Sequence, residues 1–369
     1  KGLLTEDEKK EIVDCIQENK TGYGNIGSVY YRLIDSGHIR GSKMVLLEAD
    51  GDSVLYTGDI NFEDNEILKG ARPISEKVNT LITEATYAGV KKKEDYEKRK
   101  SQLIEIVDGS IQEGFNVLIP AFSIQRAELV LRILNDGINK GKIRTRDKII
   151  AYGLGARFAK EFGEDVLNNV DFSFLDEKSA ASEIKELYWS EKGRIFVTGS
   201  GDLSKGLSSQ LLLDSLSRSD RAVIIVGYQP PGSLGSVLLR GKDTGSVQIG
   251  DSVIKLKCRI YKVDLGAHAS EEHIFDFIEK ISPKNLIVIH SDDPEAFSED
   301  LKSSYGIRAV TPTNLQVVFD YGAFGLSWLP KVEECKKLYY CECGLVFKDY
   351  ESAMKHFKEA GHMGVYPYR

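Results

Sequence analysis

The chain has 369 residues, with 49 Lys and Arg against 56 Asp and Glu, a net charge of −7 and 41% apolar residues. Such a length implies about two or three domains with sizeable cores. The acidic balance excludes a globally basic nucleic-acid binder, though not a local basic groove, and no apolar run reaches the roughly 20 residues of a membrane-spanning helix. The five cysteines, two of them one residue apart near histidines, argue for metal binding in a reducing compartment, and so for a cytoplasmic protein, not for a disulfide framework. The N-terminus is not a signal peptide, and its first residue, Lys1, suggests a truncated start.

The first twenty residues read as a helix opened by a capping box at Thr5 and Glu8. From Ser28 to Asp59 short strands follow one another (VYYRLID, KMVLLEAD, SVLYTGD), with a hairpin signal at Asp50-Gly51-Asp52. VNTLITEATYA is a further apolar strand, and the charged run Lys91–Lys100 opens a long helix as a solvated face. Strands FNVLIPAF, DKIIAYGL, GRIFVTGS and RAVIIVGY then alternate with helices QRAELVLRILND, ARFAKEFGEDVL and SSQLLLDSL. That alternation predicts βαβ units and a mostly parallel sheet. Ser246–Val263 returns to β, Glu271–Ile281 is a helix, Asn285–His290 a strand, and Lys331–Arg369 is compositionally separate.

Polar groups recur at the C-terminal ends of apolar strands, where α/β proteins place ligands and catalysts. His38 follows VYYRLIDSG, Asp59 follows SVLYTG, Glu84 follows VNTLIT, His268 lies in the turn after RIYKVDLGA, and His290 ends NLIVI. Any one alone reads as a capping or turn residue. Together they are the residue types of a zinc hydrolase site.

These residues resemble the motifs of the metallo-β-lactamase/β-CASP nucleases. SGHIRGSKMVLLE is similar to the family's third metal motif, and YTGDI, with Asp59 21 residues after His38, to the fourth. LITEATY, with Glu84 25 residues after Asp59, resembles motif A, usually ESTY. LIPAFSIQRAEL is similar to the phosphate-side helix start, GYQPPGSLG to GYQ-x-x-GTLG, LGAHAS to motif B, and VIHSD, with His290 22 residues after His268, to motif C. The likeness runs in order from Ser28 to Asp292. It implies that His38 ligates one zinc, Asp59 bridges two, His290 ligates the second, Glu84 supports His268, and His268 is the general acid at the leaving oxygen. Two zinc ions can generate a hydroxide near neutral pH and clamp a phosphodiester, and an imidazole held by a carboxylate can protonate a departing 3′ oxygen. A histidine in motif C is the pattern of the RNA-processing members, so the resemblance implies a zinc-dependent ribonuclease with RNA as its partner. It also admits a homodimer or a pairing with a related β-CASP subunit, and no membrane.

The chain departs from the family in lacking the first metal motif, HxHxDH, since its first histidine is His38. A missing upstream segment is the favoured explanation. An inactive paralogue acting as a scaffold in an RNA-processing complex is the first alternative, and a DNA nuclease or other phosphodiesterase of the same fold the second. TGSGD (Thr198–Asp202) stands where relatives often carry SGM, and His268 is followed by Ala269-Ser270 with no Asp.

Ser123 and Arg126 open a helix after an apolar strand and are candidate phosphate contacts, with a solvated first turn as the alternative. Gly232 and Ser233, within the Gly227–Gly235 turn, mark either a tight domain-edge turn or a loop that approaches substrate.

Cys341 and Cys343 are followed by His356 after twelve intervening residues and His362 after five more. With Phe347 and Ala353 at the small-core positions, this resembles a C2H2 zinc finger, although Cys-x-Cys is one residue tighter than usual and Cys335 is an alternative ligand. The expected architecture is α/β: a partial metallo-β-lactamase αββα sandwich (residues 1–89 and 268–330), an inserted β-CASP domain (90–267) and a finger (331–369). Two active-site zinc ions and one structural zinc are the expected cofactors.

Overall fold

A computed structural model describes residues 22–312 other than 73, 90–93, 123, 176–178, 204–205, 231 and 292. Beyond 312 it describes only the backbone of five short strands. The helix expected over the first twenty residues and most of the expected finger lie outside the described residues.

The chain first builds an antiparallel run of β1 (Tyr23–Ile26), β2 (Val29–Asp35), β3 (Lys43–Ala49) and β4 (Asp52–Tyr56). The Asp50-Gly51 turn joining β3 to β4 has φ of 51° and 84°. Both central residues are left-handed, which a tight two-residue hairpin requires and which Asp-Gly supplies at low cost. β5 (Thr80–Glu84) then adds parallel to β4.

From α1 (Tyr96–Gln112) the chain leaves this sheet and builds a second lobe. It comprises β6 (Asn116–Pro120), α2 (Arg126–Asn139), β7 (Ile149–Tyr152), α3 (Leu154–Gly163), β8 (Val170–Asp171), α4 (Ala180–Ser190), β9 (Ile195–Thr198), α5 (Gly206–Ser215), β10 (Arg221–Ile225), α6 (Leu234–Thr244), a β11–β12 hairpin (Ser246–Ile249, Ser252–Lys255) and β13 (Arg259–Lys262). Its sheet is parallel throughout in the order β13-β10-β6-β9-β7-β8. Every residue of β6, β9 and β10 is buried, as expected of strands covered by helices on both faces.

The chain then returns to the first sheet. α7 (Glu271–Ile281) is capped by the Ser270 hydroxyl, β14 (Asn285–Ile289) pairs parallel to β5, and α8 (Pro294–Tyr305) is capped by Asp293 with Pro294 in its first turn. The strand order becomes β1-β2-β3-β4-β5-β14. Met44, Leu46, Leu55, Leu81, Leu286 and Val288 point to one face and are buried against Ile274, Phe277 and Ile281 of α7 and Phe297 and Leu301 of α8. On the other face the register aligns Leu33, Val45, Tyr56, Ile82 and Ile287 in one row across five strands. None of these five is buried. Of a four-layer sandwich, the described residues therefore supply one sheet and one helical layer.

The lobes are tied at two places. At the chain crossings, Arg99 of α1 pairs with Glu63 and donates to the Asp264 carbonyl, while Lys100 of α1 pairs with Glu66. Across the mouth of the cleft, the Arg40 amide donates to Gln125 Oε1 at 2.6 Å and its guanidinium to buried Glu128 at 2.8 Å.

Candidate active site

The C-terminal ends of β2, β4, β5 and β14 and the segment after β13 converge on one side of the first sheet. Asp59, Glu84, His268 and His290 offer ligand atoms that all lie within 4.8 Å of one another. Asp59 stands between two imidazoles: its Oδ1 accepts from His290 Nδ1 at 2.8 Å and its Oδ2 lies 3.5 Å from His38 Nε2. The His38 ring is 4.7 Å, centroid to centroid, from that of His268, which is 5.7 Å from that of His290. All five residues picked out at strand ends therefore meet at one place.

Glu84 is 1% exposed at the end of β5. Both its oxygens lie 2.9 Å from His268 Nδ1, and it also accepts from the Ile60 amide at 2.7 Å and from the Thr86 amide and hydroxyl. Burial pushes its carboxyl up, but these donors, led by His268, hold it below the usual range. An ionised carboxylate only accepts, so His268 donates through Nδ1 and Nε2 is the nitrogen able to exchange a proton with a substrate. His38 anchors through Nδ1 to the Ala267 carbonyl at 3.2 Å. Burial first, then the neighbouring His268, pushes its pKa down, favouring the neutral imidazole that can donate a lone pair. His290 sits at φ 48°, which turns its ring back over Asp59 at the end of β14.

Thr86 was not singled out by the sequence, although it lies inside LITEATY. Its hydroxyl donates to Glu84, contacts His290 Nδ1 at 3.3 Å and reaches the His290 carbonyl at 3.2 Å. It ties the β5 and β14 ends together, a role that no spacing along the chain reveals.

The site opens into a cleft of about 940 Å³ between the lobes, lined by His38, His268, His290, Phe122, Arg126 and Tyr228 among others. Arg126 does not lie on a solvated first turn. It is 8% exposed, and its Nη1 donates to the Leu265 carbonyl at 2.6 Å. Its Nε and Nη2 have no hydrogen-bond partner among the described residues, and burial lowers its pKa to about 10. Ser123 is outside the described residues. Gly232 (φ 82°) and Ser233, the N-cap of α6, are not among the cleft-lining residues. They shape the turn that carries Tyr228 and Pro230 into it. Of the four residues expected from the sequence to form a finger, Cys341 ends a three-residue strand, Tyr339–Cys341, and Cys343, His356 and His362 lie outside the described residues.

An inserted parallel lobe facing a sheet whose strand ends gather three histidines and two carboxylates defines a two-lobed metallohydrolase fold. The comparisons narrow this class. Residues 142–238 match the Beta-Casp domain, and residues 253–312 match the Zn-dependent metallo-hydrolase RNA specificity domain. Both matches support a metallo-β-lactamase/β-CASP assignment for this chain. It is 28% identical over 279 residues to an RNase J-like protein of Methanocaldococcus jannaschii, covering 73% of this chain and 66% of that protein. It is 27% identical over 320 residues to the transcription termination factor FttA of Methanothermobacter thermautotrophicus (78% and 49%). Endoribonuclease YSH1 of Saccharomyces cerevisiae is 24% identical over 311 residues (79% and 39%). The chain thus spans between 39% and 66% of these relatives' lengths.

Proposed function

We propose that this protein is a zinc-dependent phosphodiesterase that hydrolyses RNA, in processing or decay, at the cleft between its lobes. The observation that carries the reading is Asp59 set between His38 and His290 while Glu84 holds His268 beside them. Imidazole nitrogens and carboxylate oxygens are zinc donors. His38 with Asp59 would hold one ion and Asp59 with His290 a second. Each position needs donors beyond these two, because a zinc site uses about three or four protein ligands. When bound, zinc supplies Lewis acidity and a nucleophile available near neutral pH.

The chain's own groups supply the rest. His268, with Nδ1 committed to Glu84, delivers a proton from Nε2 to the leaving oxygen, and the buried carboxylate stabilises the imidazolium before transfer. Arg126 is the cation that the described lining of the cleft offers to a phosphate, and Ser123, outside the described residues, is kept from the sequence as a further candidate for that contact. Gly232 and Ser233 set the turn at the cleft edge. The match to an RNA specificity domain and the histidine at 290 favour RNA over DNA. A structural zinc on Cys341, Cys343, His356 and His362 belongs to the same proposal.

Metal analysis paired with cleavage of matched RNA and DNA oligonucleotides tests it. For the intact enzyme with those further donors, the expected result is about three zinc equivalents, with hydrolysis of RNA that chelation abolishes and zinc restores. One equivalent and no hydrolysis would instead favour a scaffold, and equal hydrolysis of DNA would end the RNA assignment.

A further inference from the structure

The second sheet contributes its own wall to the cleft, opposite the cluster of Asp59, Glu84, His268 and His290. β6 continues through α2 to β7 on one side of the sheet, whereas the adjacent β10 continues through α6 to β13 on the other. The crevice beyond the C-terminal ends of β6 and β10 is therefore the topological switch point, where open α/β sheets bind their ligands. Phe122 follows β6 there, Gly227 and Tyr228 follow β10, and Gly201 follows the neighbouring β9.

The three segments build a platform. A Cβ at Gly201 would stand 2.6 Å from Phe122 Cδ2, and one at Gly227 would stand 3.8 Å from Cδ2 and Cε2. The ring is thus held along one side by glycine backbone, and Phe122 is still 37% exposed in the cleft. Ile124, 55% exposed, lines the same wall. The Tyr228 hydroxyl is buried in this cleft with no hydrogen-bond partner among the described residues, and its ring packs edge-on to Tyr87 at 5.8 Å. An exposed aromatic ring on a rigid support, beside an unsatisfied hydroxyl, suits a flat heteroaromatic group with polar edges. Among the described residues of this lining, Arg126 is the one Lys or Arg that a phosphate would find.

We propose that Phe122 is a specificity-determining residue that stacks one unpaired nucleobase next to the scissile phosphate, with the Tyr228 hydroxyl hydrogen-bonding that base or its ribose. The proposal rests on the ribonuclease reading, because the platform shares its cleft with His268 and His290. A paired base has both faces covered by its stack, so the occupant belongs to a single strand.

The test is binding of the full chain to fluorescent single-stranded RNA oligonucleotides, intact or with one abasic nucleotide moved stepwise along the strand. For the wild type, one abasic position should weaken binding by about 5- to 150-fold. Phe122→Ala should weaken binding of intact RNA by a similar factor and no longer distinguish the abasic strand. Phe122→Trp should retain the discrimination, whereas Phe122→Leu, which keeps apolar bulk without a stacking face, should lose it. If Phe122→Leu behaves as wild type, or Phe122→Ala still senses the abasic position, the ring is structural and the inference falls. If the wild type binds no RNA at all, the ribonuclease reading fails first.

Discussion

The two six-stranded sheets solve different problems. In the second lobe β6, β9 and β10 are buried along their whole length, with Leu118, Phe196 and Val223 facing one helical layer and Val117, Ile119, Val197 and Ile224 the other. In the first sheet one face is sealed by α7 and α8, and its strand ends carry Asp59, Glu84 and His290, which meet His268 on the segment after β13. The contrast teaches a division of labour. The doubly covered sheet is a rigid wall that presents Phe122 and Arg126 to the cleft, while the ends of the first sheet hold the carboxylates and His290 of the candidate site.

If that division is right, the largest effect of a single substitution falls at the end of the first sheet. In the complete enzyme His268→Ala is expected to lower turnover on RNA by about 10²- to 10⁴-fold with zinc still bound, as steady-state kinetics and metal analysis would read. Zinc loss in that variant would make His268 a ligand and remove it from the proton-transfer role.

The converse holds inside the wall. Phe196 is 0% exposed and packs edge-to-face on Tyr188 at 4.9 Å. Phe196→Ala leaves a cavity between the sheet and the helical layer that Phe196 faces and is expected to cost about 3–5 kcal/mol in denaturant unfolding. A cost below about 1 kcal/mol would mean that the second lobe does not depend on that core.

The contact between the lobes ranks next. Arg40→Ala removes one of two partners of Glu128, which is 1% exposed and also pairs with Arg132 at 2.8 Å. Because Arg132 remains and Arg40 is itself part-exposed, the expected loss is about 1 kcal/mol. The lobes should also separate more readily, as limited proteolysis around the 89–96 crossing would register. An unchanged cleavage pattern would leave closure to the Arg99 side alone.

Much of this plan is legible in the sequence because it is local. Continuous apolar runs such as NVLIP and AVII announce strands buried on both faces, and Asp50-Gly51 announces its own turn. Strand-end polarity also picked out His38, Asp59, Glu84, His268 and His290, which the fold brings together. What stays hidden is non-local. Glu84 and His268 are 184 residues apart and bond only because β5 ends beside the segment after β13. Arg126 reads as a phosphate contact or a solvated helix start, and its burial against the Leu265 carbonyl follows only from the packing of the lobes. Phe122 reads as one more apolar residue until the glycines at 201 and 227 are seen beneath its ring.

The smallest effect is expected on the open face of the first sheet, where two neighbours on β3 give the sharpest contrast. Leu46 is 1% exposed under α7 and α8, whereas Leu47 is 38% exposed and points the opposite way. A single strand therefore compares covered and uncovered leucine at constant propensity and sheet position. Leu46→Ala should cost about 2–5 kcal/mol, and Leu47→Ala no more than about 0.5 kcal/mol. Equal costs would mean that polypeptide outside the described residues lies on the row of Leu33, Val45, Tyr56, Ile82 and Ile287. In that case the first sheet would be a doubly covered wall like the second, and its openness would no longer distinguish the two.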